Sequence, residues 1–293
     1  MKLTCVTATF NCIKAGNRER LIRCVESVAR LKTEHEHLIY DGASADGTVE
    51  LLLELEAKTP GLKVVSKPDT GIYNALNKGV RDAKGEWFYV LGADDYIIHP
   101  GVMDDILSSV DSDVIVTPVK RPHGNRGISL SDIFFITPYC HQGVIAKTSV
   151  IREYAGGFDE RFKICADYDQ MLKLHLAGCT IAYLNTIFAF FGDDGASSTN
   201  PNALLEDAAK VVSENLGLTE LYASRIIKKH RLPWKMIRRY YNHKDYALSY
   251  AAHTMAIETI KDWFRVVFWP LVLIRRKMRR VYCEDGVAQD SCR

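Results

Sequence analysis

Within the first 91 residues, four short apolar or β-branched runs alternate with three segments of helical period, and this alternation limits the fold more than any other feature of the chain. Leu3–Phe10, His37–Tyr40, Val64–Ser66 and Trp87–Leu91 read as strands. Between them lie a helix carrying Leu21, Ile22, Val25, Val28 and Leu31, a second at Val49–Lys58 with Asp46 as its N-cap, and a third at Ile72–Ala83. Short βα connections in this order call for a parallel sheet covered by helices on both faces. The fourth strand stops at Gly92-Ala93-Asp94-Asp95. In open α/β sheets ligands bind beyond the carboxyl ends of the strands, which places Asp94 and Asp95 at the mouth of a site. Adjacent carboxylates repel unless a cation neutralises them, and hard oxygens suit Mg²⁺ or Mn²⁺, which would in turn hold nucleotide phosphates. Taken alone the stretch is better read as a solvated turn; its surroundings reverse that order.

After Asp95 the pattern loosens. Val102–Val110 reads as a helix, Asp113–Thr117, Gly143–Ala146 and Ile181–Phe191 as strands, and Asp167–Ala177 as a helix. Pro118–Pro138, rich in Gly, Pro and basic residues, reads as a loop or hairpin over the site. The turn-rich Gly192–Asn202 marks a boundary, dividing the chain into a sheet domain at 1–200 and a helical region at 201–293. A hydrophobic fraction of 47% with 25% charged residues fits a globular protein with a full core. Eight cysteines show no C-x-x-C pair and no zinc-ligand spacing, so they read as small core residues in a reducing compartment. Met1-Lys2 leads straight into a strand, and no signal peptide is expected.

The segments Leu3–Asn11, Tyr40–Thr48, Lys67–Gly79, Gly85–Asp95 and Gly156–Gly178, in this order and spacing, resemble family-two glycosyltransferases of the GT-A fold. The likeness is nearest to the bacterial polysaccharide-assembly, colanic-acid-type subgroup, and it covers about the first two hundred residues. It implies a Rossmann-like mixed α/β sheet and an inverting, metal-dependent transfer from a nucleotide sugar, a UDP-sugar by preference. Asp41 would accept an N–H from the base, with Thr7 and Thr9 as further nucleotide contacts. Lys67 and Asp69 would meet the donor near its diphosphate, and Asn77 would pack the third helix against the site. Asp94 matches the metal carboxylate of a D-x-D motif whose first Asp is Gly92 here, which leaves Asp94, Asp95, water and the diphosphate to hold Mg²⁺ or Mn²⁺. Asp167 matches the catalytic base, which takes the acceptor hydroxyl's proton; its alternative is to cap the helix it begins. His141 and Gln142, in Cys140-His141-Gln142, would face the acceptor.

Residues 225–280 hold 15 lysines and arginines against Asp245, Glu258 and Asp262, a balance of +12 that leaves −10 on the rest of the chain. Within this segment, 261–274 is apolar with two Trp but is broken by Arg265 and Pro270, too short for a span of ~20 residues. Followed by Arg275-Arg276-Lys277-Met278-Arg279-Arg280, it fits an interfacial helix on anionic lipid. The expectation is a cytoplasmic enzyme held at the inner face of the cell membrane, acting on a glycan or lipid-linked acceptor in surface polysaccharide synthesis. No nucleic-acid motif accompanies the basic residues. Two rival readings are a catalytically silent sugar-nucleotide sensor or membrane scaffold and a sugar nucleotidyltransferase. The second expects a Gly-rich basic loop after the first strand, where Phe10-Asn11-Cys12-Ile13 stands instead.

Overall fold

The computed structural model describes residues 1–126, 133, 139–192 and 201–229, all within one compact unit, Met1–Arg231. The basic segment beyond Lys229, with its apolar stretch at 261–274, lies outside the described residues. A seven-stranded sheet forms the centre. In chain order its strands are β1 (Leu3–Thr9), β2 (His35–Asp41), β3 (Leu62–Ser66), β4 (Trp87–Val90), β6 (Val114–Val116), β9 (Val144–Lys147) and β10 (Ile181–Tyr183). They lie in the order β10-β6-β9-β4-β1-β2-β3. A small second sheet, ordered β5-β11-β7-β8, is built from β5 (Tyr96–Ile97), β7 (Val119–Arg121), β8 (Gly124–Arg126) and β11 (Ala189–Phe190).

The first four strands pair in parallel, as the βα alternation requires. The sheet is nonetheless mixed, because β9 runs antiparallel to both β4 and β6. The apolar run at 181–191 divides into two strands in different sheets. Leu184 N–H still donates to Val116 O, whereas Phe188 O accepts from Ile98 and His99 in the small sheet. The expected hairpin after Pro118 is β7 paired antiparallel with β8 around Pro122-His123; the rest of 118–138 is described only at Ile133.

Helices α1 (Arg18–Ala29), α2 (Thr48–Glu56), α3 (Ile72–Asp82) and α4 (Pro100–Ser109) cover the sheet. Leu21, Cys24, Val25 and Val28 of α1 enter two apolar clusters that also hold Leu3, Trp87, Tyr89 and Leu52. Each such side chain, fully buried, contributes roughly 1.5–3 kcal/mol. On α3, Gly79 lets the helix lie directly on Val6 of β1, because a Cβ there would run into the valine methyls. Asp46 does not cap α2: the cap position is Gly47, and the Asp46 carboxylate instead binds the N–H and hydroxyl of Thr48 and the N–H of Lys14. Downstream, α5 (Thr148–Val150) runs into a single π turn, Ile151–Ala155, and α6 (Ala166–Ala177) ends at Gly178 in the left-handed region. Helices α7 (Pro201–Leu216) and α8 (Glu220–Lys229) belong to the same unit, with α7 packed on α6.

Candidate active site

Three strand ends meet at Asp41. Thr9 of β1 and Ser66 of β3 are its neighbours in register, and paired residues in a parallel ladder point to the same face. Asp41 is 1% exposed and both its oxygens are engaged. Oδ1 accepts from the Thr9 hydroxyl at 3.1 Å and the Ser44 hydroxyl at 2.5 Å; Oδ2 accepts from Ser44 N–H and the Ser66 hydroxyl, each at 2.8 Å. Asp41 therefore pins the three strands and the following turn, in which Ala43 is held at φ 63°. All four of these hydrogen bonds come from the protein's own groups.

Thr7 and Thr9, the other expected nucleotide contacts, also bond within the protein. Thr7 is fully buried; its hydroxyl donates to Leu91 O at 2.8 Å and stands 2.9 Å from His37 Nε2. With that hydroxyl proton committed, His37 donates from Nε2 and leaves Nδ1 bare, and Nδ1 has no partner. Burial, with His35 nearby, lowers the His37 pKa to about 3. What this corner does present is Phe10, 64% exposed at the end of β1, beside the Asp69 carboxylate where both approach Gly42. Asp69 also accepts Gly71 N–H at 3.0 Å, and Lys67 is exposed. Phe10 was missed because an aromatic at a strand end reads as core until its neighbours are known.

Beyond β4, Asp94 is half-buried and lines a cavity of about 350 Å³ with Arg20, Arg23, Tyr96, His123 and Phe190 among its walls. The Arg23 guanidinium lies 5.0 Å over the Tyr96 ring, which stacks on Phe190 at 4.8 Å. Asp95, by contrast, is 1% exposed and accepts Gly192 N–H at 2.8 Å, with Gln142 as a second partner. Burial first, and the Asp94 charge second, push its pKa up to about 7. A Cβ on Gly92 would meet the Asp95 carboxylate and lie 3.2 Å from Asp94 Oδ1. Asp95 thus fills the space that an Asp at position 92 would need, and the carboxylate pair is made from adjacent residues. Among the described residues no group of three or more His, Cys, Asp or Glu is gathered to hold a metal ion. One presented carboxylate backed by a second, proton-hungry one fits a hard cation that brings its own water and phosphate oxygens.

Asp167 lies in the first turn of α6 but is not its cap, a position held by Cys165 without a side-chain bond. The half-buried carboxylate accepts Tyr168 N–H at 2.8 Å, and its charge is felt by Tyr73, Tyr139 and His141. Burial lowers the His141 pKa against the opposing pull of Asp167 and Gln170. Asp169, two residues on, is buried and faces away, bonded to Lys173 and Asn215 at 2.7 Å each.

The segment before α6 is clamped to α3. Asn77 donates to Phe158 O and Glu160 while its carbonyl accepts Phe158 N–H. Glu160 also accepts from Thr70 and Asn74, hydrogen bonds that outweigh burial and lower its pKa. The Tyr73 hydroxyl donates to Ile164 O at 2.7 Å.

These parts adjoin through shared neighbours. His141 feels the charge of Asp167, while the next residue, Gln142, bonds Asp95. Cys12, its pKa raised mainly by burial, feels the charges of Asp41, Asp46 and Asp94 together. The carboxylates at the ends of β2 and β4 therefore lie at one edge of the sheet, since both strands run parallel to β1.

Comparison with known proteins agrees with this architecture. Residues 4–158, more than half of the chain, match Glycosyl transferase family 2. A PGL/p-HBAD biosynthesis glycosyltransferase of Mycobacterium bovis is 24% identical over 188 residues, 60% of this chain and 72% of the relative. The chondroitin synthase of Pasteurella multocida is 28% identical over 180 residues, 56% of this chain and 18% of that much longer protein. Among solved structures, S. aureus TarS 1-349 in complex with UDP-GlcNAc superposes with a TM-score of 0.60 at 21% identity, covering 78% of this chain and 71% of that one. The mannosyltransferase PcManGT from Pyrobaculum calidifontis, in complex with GDP-Man and Mn²⁺, superposes with a TM-score of 0.55 at 16% identity, covering 96% and 87%. The fold is GT-A. A mixed sheet with its carboxylates gathered at the strand ends, together with a match running from β1 to Phe158, shows that the chain belongs to glycosyl transferase family 2.

Proposed function

We propose that the protein moves a sugar, with inversion, from a nucleoside-diphosphate sugar to a hydroxyl of a glycan or lipid-linked acceptor. The observation that carries this reading is the set of carboxylates at the ends of β2 and β4, Asp41 with Asp94–Asp95, with Gln142 bonded to Asp95 and the Asp167 charge reaching the adjacent His141. The exposed Phe10 ring offers a stacking face for a nucleobase, with Asp69 beside it as an acceptor for base N–H groups. Lys67, at the neighbouring strand end, supplies positive charge near the same mouth. Arg20, Arg23 and His123 around the cavity next to Asp94 offset the charge of a diphosphate. Asp94, with Asp95 behind it, would hold a Mg²⁺ or Mn²⁺ ion; when bound, that ion stabilises the departing diphosphate. Asp167 takes the proton of the acceptor hydroxyl as its oxygen attacks the anomeric carbon from the face opposite the leaving group. His141 and Gln142 line the acceptor side.

UDP-sugars are the first donors to test, since proteins of similar fold are seen in complex with UDP, UDP-GlcNAc and GDP-Man. The acceptor belongs to surface polysaccharide or glycolipid synthesis, and the basic segment at 225–280 holds the enzyme to the anionic inner face of the cell membrane. The test is donor turnover by folded Asp94→Asn and Asp167→Asn variants. Loss of base catalysis at Asp167 should lower the rate roughly 10²- to 10⁴-fold. Wild-type turnover by both variants would end the proposal.

A further inference from the structure

Asp207 of α7 lies beyond the family match, which stops at Phe158, and no sequence motif points to it. Its carboxylate is 7% exposed. Oδ2 accepts both Ile164 N–H at 2.8 Å and Cys165 N–H at 3.0 Å, the two amides leading into α6. The first turn of a helix leaves N–H groups without intrahelical partners, and a residue at the cap usually takes them. Here the cap residue, Cys165, makes no such side-chain bond; Tyr168 N–H in the first turn goes to Asp167, and the amides of Ile164 and of Cys165 itself go to Asp207, on another helix 42 positions beyond Cys165. The Cys165 thiol has its pKa raised by burial first and then by the charges of Asp167 and Asp207, which puts both carboxylates close to it. Cys165 Sγ also approaches Leu204 O at 3.6 Å, Arg161 pairs with Glu214 at 2.7 Å, and Asn215 donates to Asp169 at 2.7 Å. Helix α7 thus holds α6 and the segment before it at several points, and Asp207 holds the two amides that lead directly into the turn bearing Asp167.

From this we infer that Asp207 is a positioning residue for the transfer: by fixing the backbone at Ile164 and Cys165 it sets where Asp167 meets the acceptor hydroxyl. The inference rests on Asp167 being the base. Asp207 touches no reacting atom, so its loss should slow the chemical step and leave donor binding intact. A displacement of about 1 Å in a catalytic group can cost on the order of 100-fold in rate.

The test compares full-length Asp207→Ala, Asp207→Asn and Asp167→Asn with wild type, by thermal melting, UDP binding, steady-state kinetics and hydrogen exchange at the Ile164 and Cys165 amides. The expected result for Asp207→Ala is faster exchange at those two amides, an unchanged UDP Kd, and a kcat lower by roughly 10- to 100-fold. Asp207→Asn, which keeps one acceptor oxygen, should recover part of both the protection and the rate. An inert Asp167→Asn beside an Asp207→Ala with wild-type kcat overturns this inference alone. Wild-type turnover by Asp167→Asn removes the base assignment and this inference with it. Parallel loss of UDP affinity and kcat in both Asp207 variants, with a collapsed melting temperature, assigns Asp207 to general stability and also overturns the inference.

Discussion

Single residues at this site owe their duties to atoms on distant parts of the chain. Gly92 departs from the D-x-D pattern, and the reason is steric, since Asp95 fills the space a side chain there would take. Gly92→Ala should therefore destabilise the protein by about 1–3 kcal/mol, as overpacking of a filled site does; an unchanged urea midpoint would contradict this. His37 provides a pH test. Its pKa is lowered to about 3 in the fold, so the folded state resists protonation while the unfolded chain takes up a proton near its ordinary value of 6.5. The stability tied to neutral His37 is present above pH 6.5 and is lost as pH falls toward 3. Between pH 6.5 and 4.5 the loss amounts to about 2–3 kcal/mol. A His37→Leu variant should lack that part of the slope, which urea melts at the two pH values would reveal. Of the candidate residues named from the sequence, Asp94 and Asp167 sit half-buried beside polar surroundings, whereas Thr7, Thr9 and Asp41 bond to one another's strands. A strand-end hydroxyl or carboxylate looks the same in sequence whether it faces a ligand or the next strand.

Among the elements, the first four strands and three helices follow from local pattern, because hydrophobic period and turn residues are properties of neighbouring positions. The reversed β9 and the handover from β10 to β11 do not, since both depend on pairings with strands far away in the chain. Helix α3 illustrates the difference. Its period marks the buried face, yet Tyr73, Asn74 and Asn77 on its other side dock the segment that leads to Asp167. Asn77→Ala should remove that clamp and leave Phe158 N–H without its acceptor, at a cost of about 1–3 kcal/mol. A fall in kcat larger than any change in donor KM is expected alongside it. Equal loss in both would mean that Asn77 contacts the donor.

Across the whole molecule, charge divides between a −10 portion and a +12 segment at 225–280, and the proposed membrane attachment rests on that segment. No helix of the described residues is long and apolar enough to cross a membrane. Deleting residues 262–293 should abolish sedimentation with anionic liposomes while UDP binding persists, and liposome binding by the truncated protein would refute the membrane role. The order of strands, helices and carboxylates was already set by the sequence, because each is encoded in a few adjacent residues. Which carboxylates are left half-buried at the strand ends and which are buried and bonded within the protein was decided only in three dimensions. The donors that settle it come from far along the chain: Ser66 for Asp41, Gly192 for Asp95, and Ile164 for Asp207. A buried carboxylate takes whichever N–H or O–H groups folding brings within about 3 Å, and no local pattern records who those partners will be.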